Sequence, residues 1–88
     1  MKAKSEYILR EIAGEYYIIP IGDESIGNNR MITVNETGKA IWEALQKDIS
    51  VDEIMKMMLD TYDVDERILR ADVDEFLAKI RGAGMLED

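Results

Sequence analysis

The sequence predicts an α+β fold in which a three-stranded antiparallel sheet is followed by three helices. Residues 7–20 contain two runs of β-branched and aromatic residues on either side of a glycine, a pattern typical of a hairpin. Residues 31–34 form a further short apolar run without a breaker, and from Asn35 onwards apolar residues recur at helical spacing. Because a three-stranded sheet cannot bury its face alone, the helices are expected to pack on it.

The hairpin supplies the first two predicted strands. Gly14 and Glu15 are the predicted turn residues, since glycine at the first central position suits a type II′ loop, and Pro20 ends the second strand. Neither face of the hairpin is cleanly apolar. We expect Tyr7 and Leu9 to be exposed; the alternative is a sheet face covered by a partner or a second copy.

The third strand, residues 31–34, passes directly into the first helix. The Asn35 side chain can accept a hydrogen bond from a free amide of the first turn, so Asn35 is the predicted N-cap. The helix is predicted from Glu36 to about Gln46, with Glu36 at the favourable end of the helix dipole. Gly38 in the first turn lets another backbone come close.

Two further helices are predicted from capping signals and apolar periodicity. Ser50 and Glu53 form a predicted capping box for a helix over residues 51–62. Asp65 is the predicted cap of a third helix over residues 66–82. The apolar stripes of the three helices predict a core of Ile41, Trp42, Leu45, Ile54, Met58, Leu69, Val73, Phe76 and Ile80.

Length and composition limit the available chemistry. We expect the 88 residues to form one domain, a monomer or weak homodimer, with residues 1–6 frayed and residues 85–86 folded back as an apolar clasp. The chain contains no cysteine and no histidine, which excludes disulfides, thiolate metal sites, cysteine nucleophiles and histidine bases. We therefore expect no catalytic residues, no metal and no cofactor.

The charge pattern narrows the class of partner. A net charge of −8 makes the chain a poor candidate for binding nucleic acid, which requires clustered lysine and arginine. The acidic cluster around Asp63 lacks the ligand spacing of a calcium loop and is expected to be surface charge. No apolar run reaches the length of a membrane span, and the N-terminus lacks the apolar core of a signal peptide. A soluble, cytoplasmic protein without a membrane partner is expected.

Two ordered blocks of the sequence carry a family resemblance. Residues 32–38, ITVNETG, followed after three residues by residues 42–45, WEAL, resemble the ITLNETG…IWELL signature of the PqqD family. Residues 72–77, DVDEFL, and residues 84–86, GML, resemble the family's DV..FL…L…GLL ending. With these blocks the resemblance covers almost the whole chain over residues 7–86. The family is named for a protein of pyrroloquinoline quinone biosynthesis.

The resemblance implies a winged helix-turn-helix-like fold and a non-catalytic peptide chaperone. Members of the family are RiPP recognition elements, which bind the leader of a ribosomally made precursor peptide and present it to a modifying enzyme, often a radical SAM enzyme. The implied mode is β-augmentation, in which the peptide adds beside the third strand and lies against the third helix. The strand residues expected to pair with it are Arg30, Met31, Ile32, Thr33 and Val34.

The third helix is expected to supply the side chains of the peptide groove. On a helical wheel, Leu77 lies at one edge of the apolar stripe, where it is expected to be the exposed floor of the groove. The charged residues just beyond it are Arg70, Asp74 and Arg81, and the opposite edge carries Asp72 and Lys79. We expect Arg70 and Arg81 to hold acidic side chains of the leader. The alternative is that both arginines pair with surface acids.

Two functions of other classes stay open. Winged helices commonly bind DNA, and a DNA-binding regulator would place a basic second or third helix in the major groove. The second helix carries only Lys56 as a basic residue, which disfavours this function. An enzyme built on paired carboxylates is formally compatible with 19 acidic residues, although no second type of catalytic group accompanies them.

Overall fold

The computed structural model describes residues 1–21 and 31–87, and the predicted order of strands and helices is confirmed there. Two short terminal strands are present in addition. The strands are β1 (Lys2–Ala3), β2 (Tyr7–Ile12), β3 (Glu15–Pro20), β4 (Ile32–Val34) and β5 (Leu86–Glu87). The helices are α1 (Glu36–Ala44), α2 (Val51–Thr61) and α3 (Glu66–Gly82). The first two helices therefore end slightly earlier than predicted.

The main sheet is antiparallel, with β3 in the centre between β2 and β4. The turn between β2 and β3 consists of Ala13 and Gly14, whose φ angles of 53° and 82° are those of a type I′ turn. Ile12 and Glu15 are the pair that closes this two-residue turn. The predicted type II′ turn at Gly14 and Glu15 is wrong by one residue, because Ala13 adopts the left-handed conformation as well.

The inner face of the sheet is built around Ile18, which is fully buried in β3. Its cross-strand neighbours are Leu9 in β2 and Ile32 in β4, so these side chains share one face. Tyr7 lies on the same face and is 6% exposed. The expectation that Tyr7 and Leu9 are exposed is wrong, because the packed helices cover this face of the hairpin.

The N-terminal residues form a small second sheet with the C-terminal residues. β1 pairs antiparallel with β5, which places Ala3 opposite Leu86. The amide of Ala3 also donates to the carbonyl of Leu45 over 2.8 Å, and the amide of Ile49 donates to the carbonyl of Met1 over 2.9 Å. The prediction that residues 1–6 are frayed is wrong, because main-chain hydrogen bonds hold the segment and a polar side-chain pattern does not reveal them.

The predicted helix caps are confirmed. The Asn35 side chain accepts a hydrogen bond from the amide of Gly38 over 2.8 Å at the start of α1. Ser50 and Glu53 each accept a hydrogen bond from the other's backbone amide over 3.1 Å, which completes the capping box of α2. The Asp65 carboxylate accepts hydrogen bonds from two amides in the first turn of α3. Each cap satisfies amides that have no partner within the helix.

The core lies between the three helices and the inner face of the sheet. Eight of the nine predicted core residues are buried, including Trp42 with 2% of its surface exposed. The ninth, Phe76, is only partly buried. Met85 and Leu86 are buried after the end of α3, so the predicted apolar clasp is confirmed.

Candidate functional site

The outer edge of β4 presents main-chain groups to which no other described strand is bonded. In the part of the chain that the structure describes, no strand pairs with this edge. Glu15 and Ile12 are the pair that closes the hairpin, so the backbone amide and carbonyl of Glu15 bond to β2. The backbone groups of every second residue after Glu15 also bond to β2. The intervening residue Ile18 bonds to its partner Ile32 in β4. Thr33, the next residue of β4, therefore directs both its amide and its carbonyl outwards.

A contact from α3 supports this orientation of Thr33. The Nζ atom of Lys79 donates to the carbonyl oxygen of Thr33 over 3.4 Å. At this distance the hydrogen bond is weak. The carbonyl of Thr33 therefore faces the Lys79 ammonium group and not another strand. The amide of Thr33 points to the same side and is the donor that an added strand would use.

A groove of about 190 Å³ lies between β4 and α3, and we call it the β4–α3 groove. Its lining residues come from β4, the start of α1 and one face of α3. They are Thr33, Val34, Asn35, Thr37, Gly38, Asp72, Glu75, Phe76 and Lys79. Its volume is below the range of typical small-molecule pockets, roughly 300–1,000 Å³. It is large enough for a side chain of an extended peptide.

Phe76 supplies the apolar surface of the β4–α3 groove. A Cβ atom added to Gly38 would lie 2.9 Å from the ring atom Cε1 of Phe76 and 3.1 Å from the Cβ atom of Val34. The missing side chain at Gly38 therefore lets the ring pack against α1. The predicted close approach at this glycine is made by a side chain rather than by a backbone. The core prediction for Phe76 is correct only in part, because the ring also lines the groove.

Charged side chains of both signs line the β4–α3 groove. Lys79 lies beside Thr33 in β4. Asp72 and Glu75 lie about two turns and one turn earlier on the same face of α3. Phe76, which follows Glu75 directly, contacts Gly38 at the start of α1. The groove therefore carries a positive charge beside Thr33 of β4 and two negative charges earlier along α3.

The structure places the predicted strand residues in different environments. Met31 is 57% exposed. Thr33 is exposed as well, whereas Val34 is buried and Ile32 is half-buried on the inner face of the sheet. The edge thus offers the main chain of Thr33 and the side chains of Met31 and Thr33. Arg30, which is also predicted to pair with a peptide, lies outside the described residues.

The predicted α3 residues lie on the side of the helix away from the β4–α3 groove. Leu77 is 3% exposed, so the expectation that it forms an exposed groove floor is wrong. Arg70 Nε lies 3.2 Å from Asp74 Oδ1. The Nη2 atom of Arg81 lies 3.9 Å from the sulfur of Met1. Arg70 also lines a separate surface depression, the α2–α3 hollow, formed by Asp52, Met55, Lys56, Leu59, Asp60, Glu66, Arg67 and Arg70.

A helical wheel cannot decide which edge of the α3 stripe faces β4. The wheel correctly places Arg70 and Lys79 on opposite edges of the apolar stripe. In the structure, the edge with Lys79 is the one that lies beside β4. A role for Arg70, Asp74 and Arg81 in peptide binding stays a prediction. In the structure Phe76, the close neighbour of Gly38, lies on the Lys79 side of α3.

The shifted pKa values belong to groups that do not line the β4–α3 groove. The hydrogen bond from Tyr17 to Glu15 raises the pKa of Tyr17. The hydrogen bond from the N-terminal ammonium lowers the pKa of Asp48. Hydrogen bonds from the backbone amide and side chain of Ser50 lower the pKa of Glu53. The hydrogen bonds behind these shifts lie in the hairpin and around the start of α2.

The described residues form neither a metal site nor a membrane span. Residues 1–21 and 31–87 contain no group of three or more acidic side chains placed to hold a metal ion. None of the helices α1 to α3 has the length and apolar character that crossing a bilayer requires. The groove itself offers main-chain hydrogen bonds, an aromatic surface and charge.

The fold and the groove define a class of small α+β proteins in which a free sheet edge and the last helix border a surface groove. The chain belongs to the PqqD family, since the family model described as "Coenzyme PQQ synthesis protein D (PqqD)" matches residues 15–86. This match confirms the resemblance predicted from the two sequence blocks. Comparison with curated protein sequences gives no match.

Two solved structures share this fold. The first, "TbiB1 in Complex with the TbiA(beta) Leader Peptide", has a TM-score of 0.75 and 21% identity, and the match covers 99% of this chain and 95% of that chain. The second, "Lasso peptide synthetase B1 complexed with the leader peptide", has a TM-score of 0.74 and 13% identity, with 99% and 96% covered. The likeness establishes the fold, and both of those proteins are in complex with a leader peptide.

Proposed function

We propose that this protein binds the leader segment of a ribosomally made precursor peptide and presents it to a peptide-modifying enzyme. The observation that carries the proposal is the outward edge of β4 at Thr33, which opens onto the β4–α3 groove. Membership of the PqqD family supports this function. The likeness to two structures that hold leader peptides supports it as well.

The peptide adds as a further strand beside β4 in this proposal. Thr33 supplies one outward donor and one outward acceptor, and an edge strand offers such a pair at every second residue. Phe76 supplies an apolar contact for a peptide side chain in the groove. The main-chain hydrogen bonds give affinity, while the groove side chains give register and sequence preference.

The protein itself has a non-catalytic role in this proposal, as a single cytoplasmic domain without a bound cofactor. The absence of cysteine and histidine from the sequence supports this role, since these residues supply most nucleophiles and general bases. A radical SAM enzyme is the proposed partner, and a monomer or weak homodimer is the proposed oligomeric state. The partner proposal is supported by the PqqD family.

Peptide titration tests the proposed binding site. The probes are leader segments from short open reading frames beside the gene, together with binders selected from a displayed library of random peptides. Amide chemical shifts of isotope-labelled protein are expected to change most at β4, including Thr33, and around Phe76 and Lys79. Changes confined to the β2–β3 hairpin or to the α2–α3 hollow would contradict the proposed site.

Two substitutions at Thr33 separate main-chain from side-chain recognition. Thr33→Pro removes the outward amide and is expected to weaken peptide binding roughly tenfold, since a main-chain hydrogen bond of about 1 kcal/mol and access for the peptide are both lost. The sheet is expected to remain folded, because this amide does not bond to β3. Thr33→Val keeps the amide and the β-branched shape, and is expected to bind normally. Equal losses in both variants would assign recognition to the side chain.

The presentation step has its own measurement. The rate at which the neighbouring enzyme modifies its precursor peptide is compared with wild-type protein, with Thr33→Pro and with no added protein. Wild-type protein is expected to accelerate the modification, and Thr33→Pro is expected to lose most of that effect. An equal rate in all three reactions would show that the protein does not present the peptide.

A further inference from the structure

The charged side chains of the β4–α3 groove form no ion pair in the part of the chain that the structure describes. In the described ranges 1–21 and 31–87, ion pairs form elsewhere, as between Arg70 and Asp74, and none involves Asp72 or Glu75. Lys79 makes a long contact of 3.4 Å to the carbonyl of Thr33. All three groove side chains are exposed. Their charges are therefore available to a ligand that enters the groove.

The direction of β4 sets the order in which an added strand meets these charges. β4 runs from the Lys79 end of the groove towards the end where Phe76 contacts Gly38. The sheet is antiparallel throughout, and antiparallel pairing is the more stable arrangement per residue. A strand that adds antiparallel to β4 therefore passes Glu75 first and Lys79 afterwards.

The spacing of the two charges matches the repeat of a strand. Glu75 and Lys79 are four residues apart in α3, which corresponds to about 6 Å along the helix axis. Side chains on one face of a strand recur every second residue, at about 6.6 Å. Two peptide side chains on the same face can therefore lie opposite Glu75 and Lys79 at once.

We infer that the β4–α3 groove selects leader peptides in which a basic residue is followed two positions later by an acidic residue. The basic side chain pairs with Glu75, and the acidic side chain pairs with Lys79 in place of its contact with Thr33. The two residues thus determine both sequence preference and strand direction. This inference rests on the proposed function, because it specifies the peptide that the same groove takes.

Selection from a displayed library of random short peptides tests the inference. One selection uses the wild-type protein, and a second uses the charge-swapped variant Glu75→Lys with Lys79→Glu. The matched control swaps the i,i+4 ion pair of α1, Lys39→Glu with Glu43→Lys, because neither residue lines the groove. A further selection with Arg70→Asp and Asp74→Arg tests the alternative site on the other side of α3. Circular dichroism confirms that each variant is folded before the selection. The wild-type selection stands alone as a test if a variant does not fold.

The wild-type protein is expected to enrich peptides with a basic residue two positions before an acidic one. The Glu75/Lys79 swap is expected to reverse this order, and the Lys39/Glu43 swap is expected to leave it unchanged. A selected peptide is expected to bind the swapped groove about tenfold more weakly than the wild-type groove, because two exposed ion pairs become repulsive contacts.

The inference would be overturned if the enriched peptides lacked this charge order. It would also be overturned if the wild-type and Glu75/Lys79-swapped proteins enriched the same order. Both results would leave the proposed function standing. An effect confined to the Arg70/Asp74 swap would also overturn the inference and would place the recognition on the far side of α3. Failure of the wild-type protein to retain any peptide, including leader segments from neighbouring reading frames, would overturn the proposed function and the inference together.

Discussion

Replacement of Gly38 by alanine tests the packing that shapes the β4–α3 groove. The added Cβ atom would lie 2.9 Å from Cε1 of Phe76 and 3.1 Å from Cβ of Val34. Carbon atoms in contact prefer separations of about 3.5–4.0 Å, so both neighbours have to move. Val34 is buried in β4 and paired to β3, whereas the partly buried ring of Phe76 can move into the groove. The substitution is therefore expected to strain α1 against β4 and to narrow the groove.

Two opposing effects set the expected stability of Gly38→Ala. Alanine restricts the unfolded chain and stabilises the protein by about 0.4–1 kcal/mol where the site accepts it. Overpacking costs about 1–3 kcal/mol. The difference is a net loss of roughly 0–2.5 kcal/mol, and a loss of about 1 kcal/mol lowers the Tm by about 4–8 °C in a chain of this size.

Gly82→Ala is the matched control for this measurement. Gly82 is the last residue of α3, and nothing lies within 4 Å of a Cβ atom added there. The free energy of unfolding of Gly82→Ala is expected to rise by up to about 1 kcal/mol, because alanine restricts the unfolded chain and causes no overpacking at this position. Thermal unfolding followed by circular dichroism compares the two variants. An equal rise of the Tm in both would refute the close contact between Gly38 and Phe76.

The remaining predictions concern the core and the capping box. Trp42→Ala is expected to cost about 3–5 kcal/mol, because the indole is 2% exposed, and an unchanged Tm would show that the packing around it is not needed. Glu53→Gln is expected to make stability less sensitive to acid. Ser50 lowers the pKa of Glu53 below its ordinary value of 4.5, so the ionised carboxylate stabilises the fold above that pH and this contribution is lost as the pH falls through the lowered pKa. The drop in Tm between about pH 7 and about pH 3 should be smaller in the variant, and an equal drop would contradict this role.

The local structure of this protein could be predicted from the sequence because its causes are local. Asn35, Ser50 and Asp65 each cap a helix through hydrogen bonds to amides two or three residues ahead. Such contacts depend on residue type and spacing alone. The family resemblance rests on similarly continuous blocks, and the match over residues 15–86 confirms it.

Most of the core could be predicted for a related reason. Apolar residues at helical spacing lie on one face of a helix whatever that face contacts. Trp42, Ile54 and Val73 are buried as their stripes predict. Phe76 departs from the pattern because it lies where the stripe of α3 meets the edge of β4, so that part of its ring lines the groove.

The order of the three main strands and three helices, the caps, most of the core and the family could thus be predicted from the residues alone. Three features became clear only from the folded chain: the face of the hairpin that the helices cover, the pairing of β1 with β5, and the position of Lys79 rather than Arg70 beside the edge of β4. Periodicity shows which residues share a face, but the contacts of that face depend on the relative placement of elements that are distant in the chain.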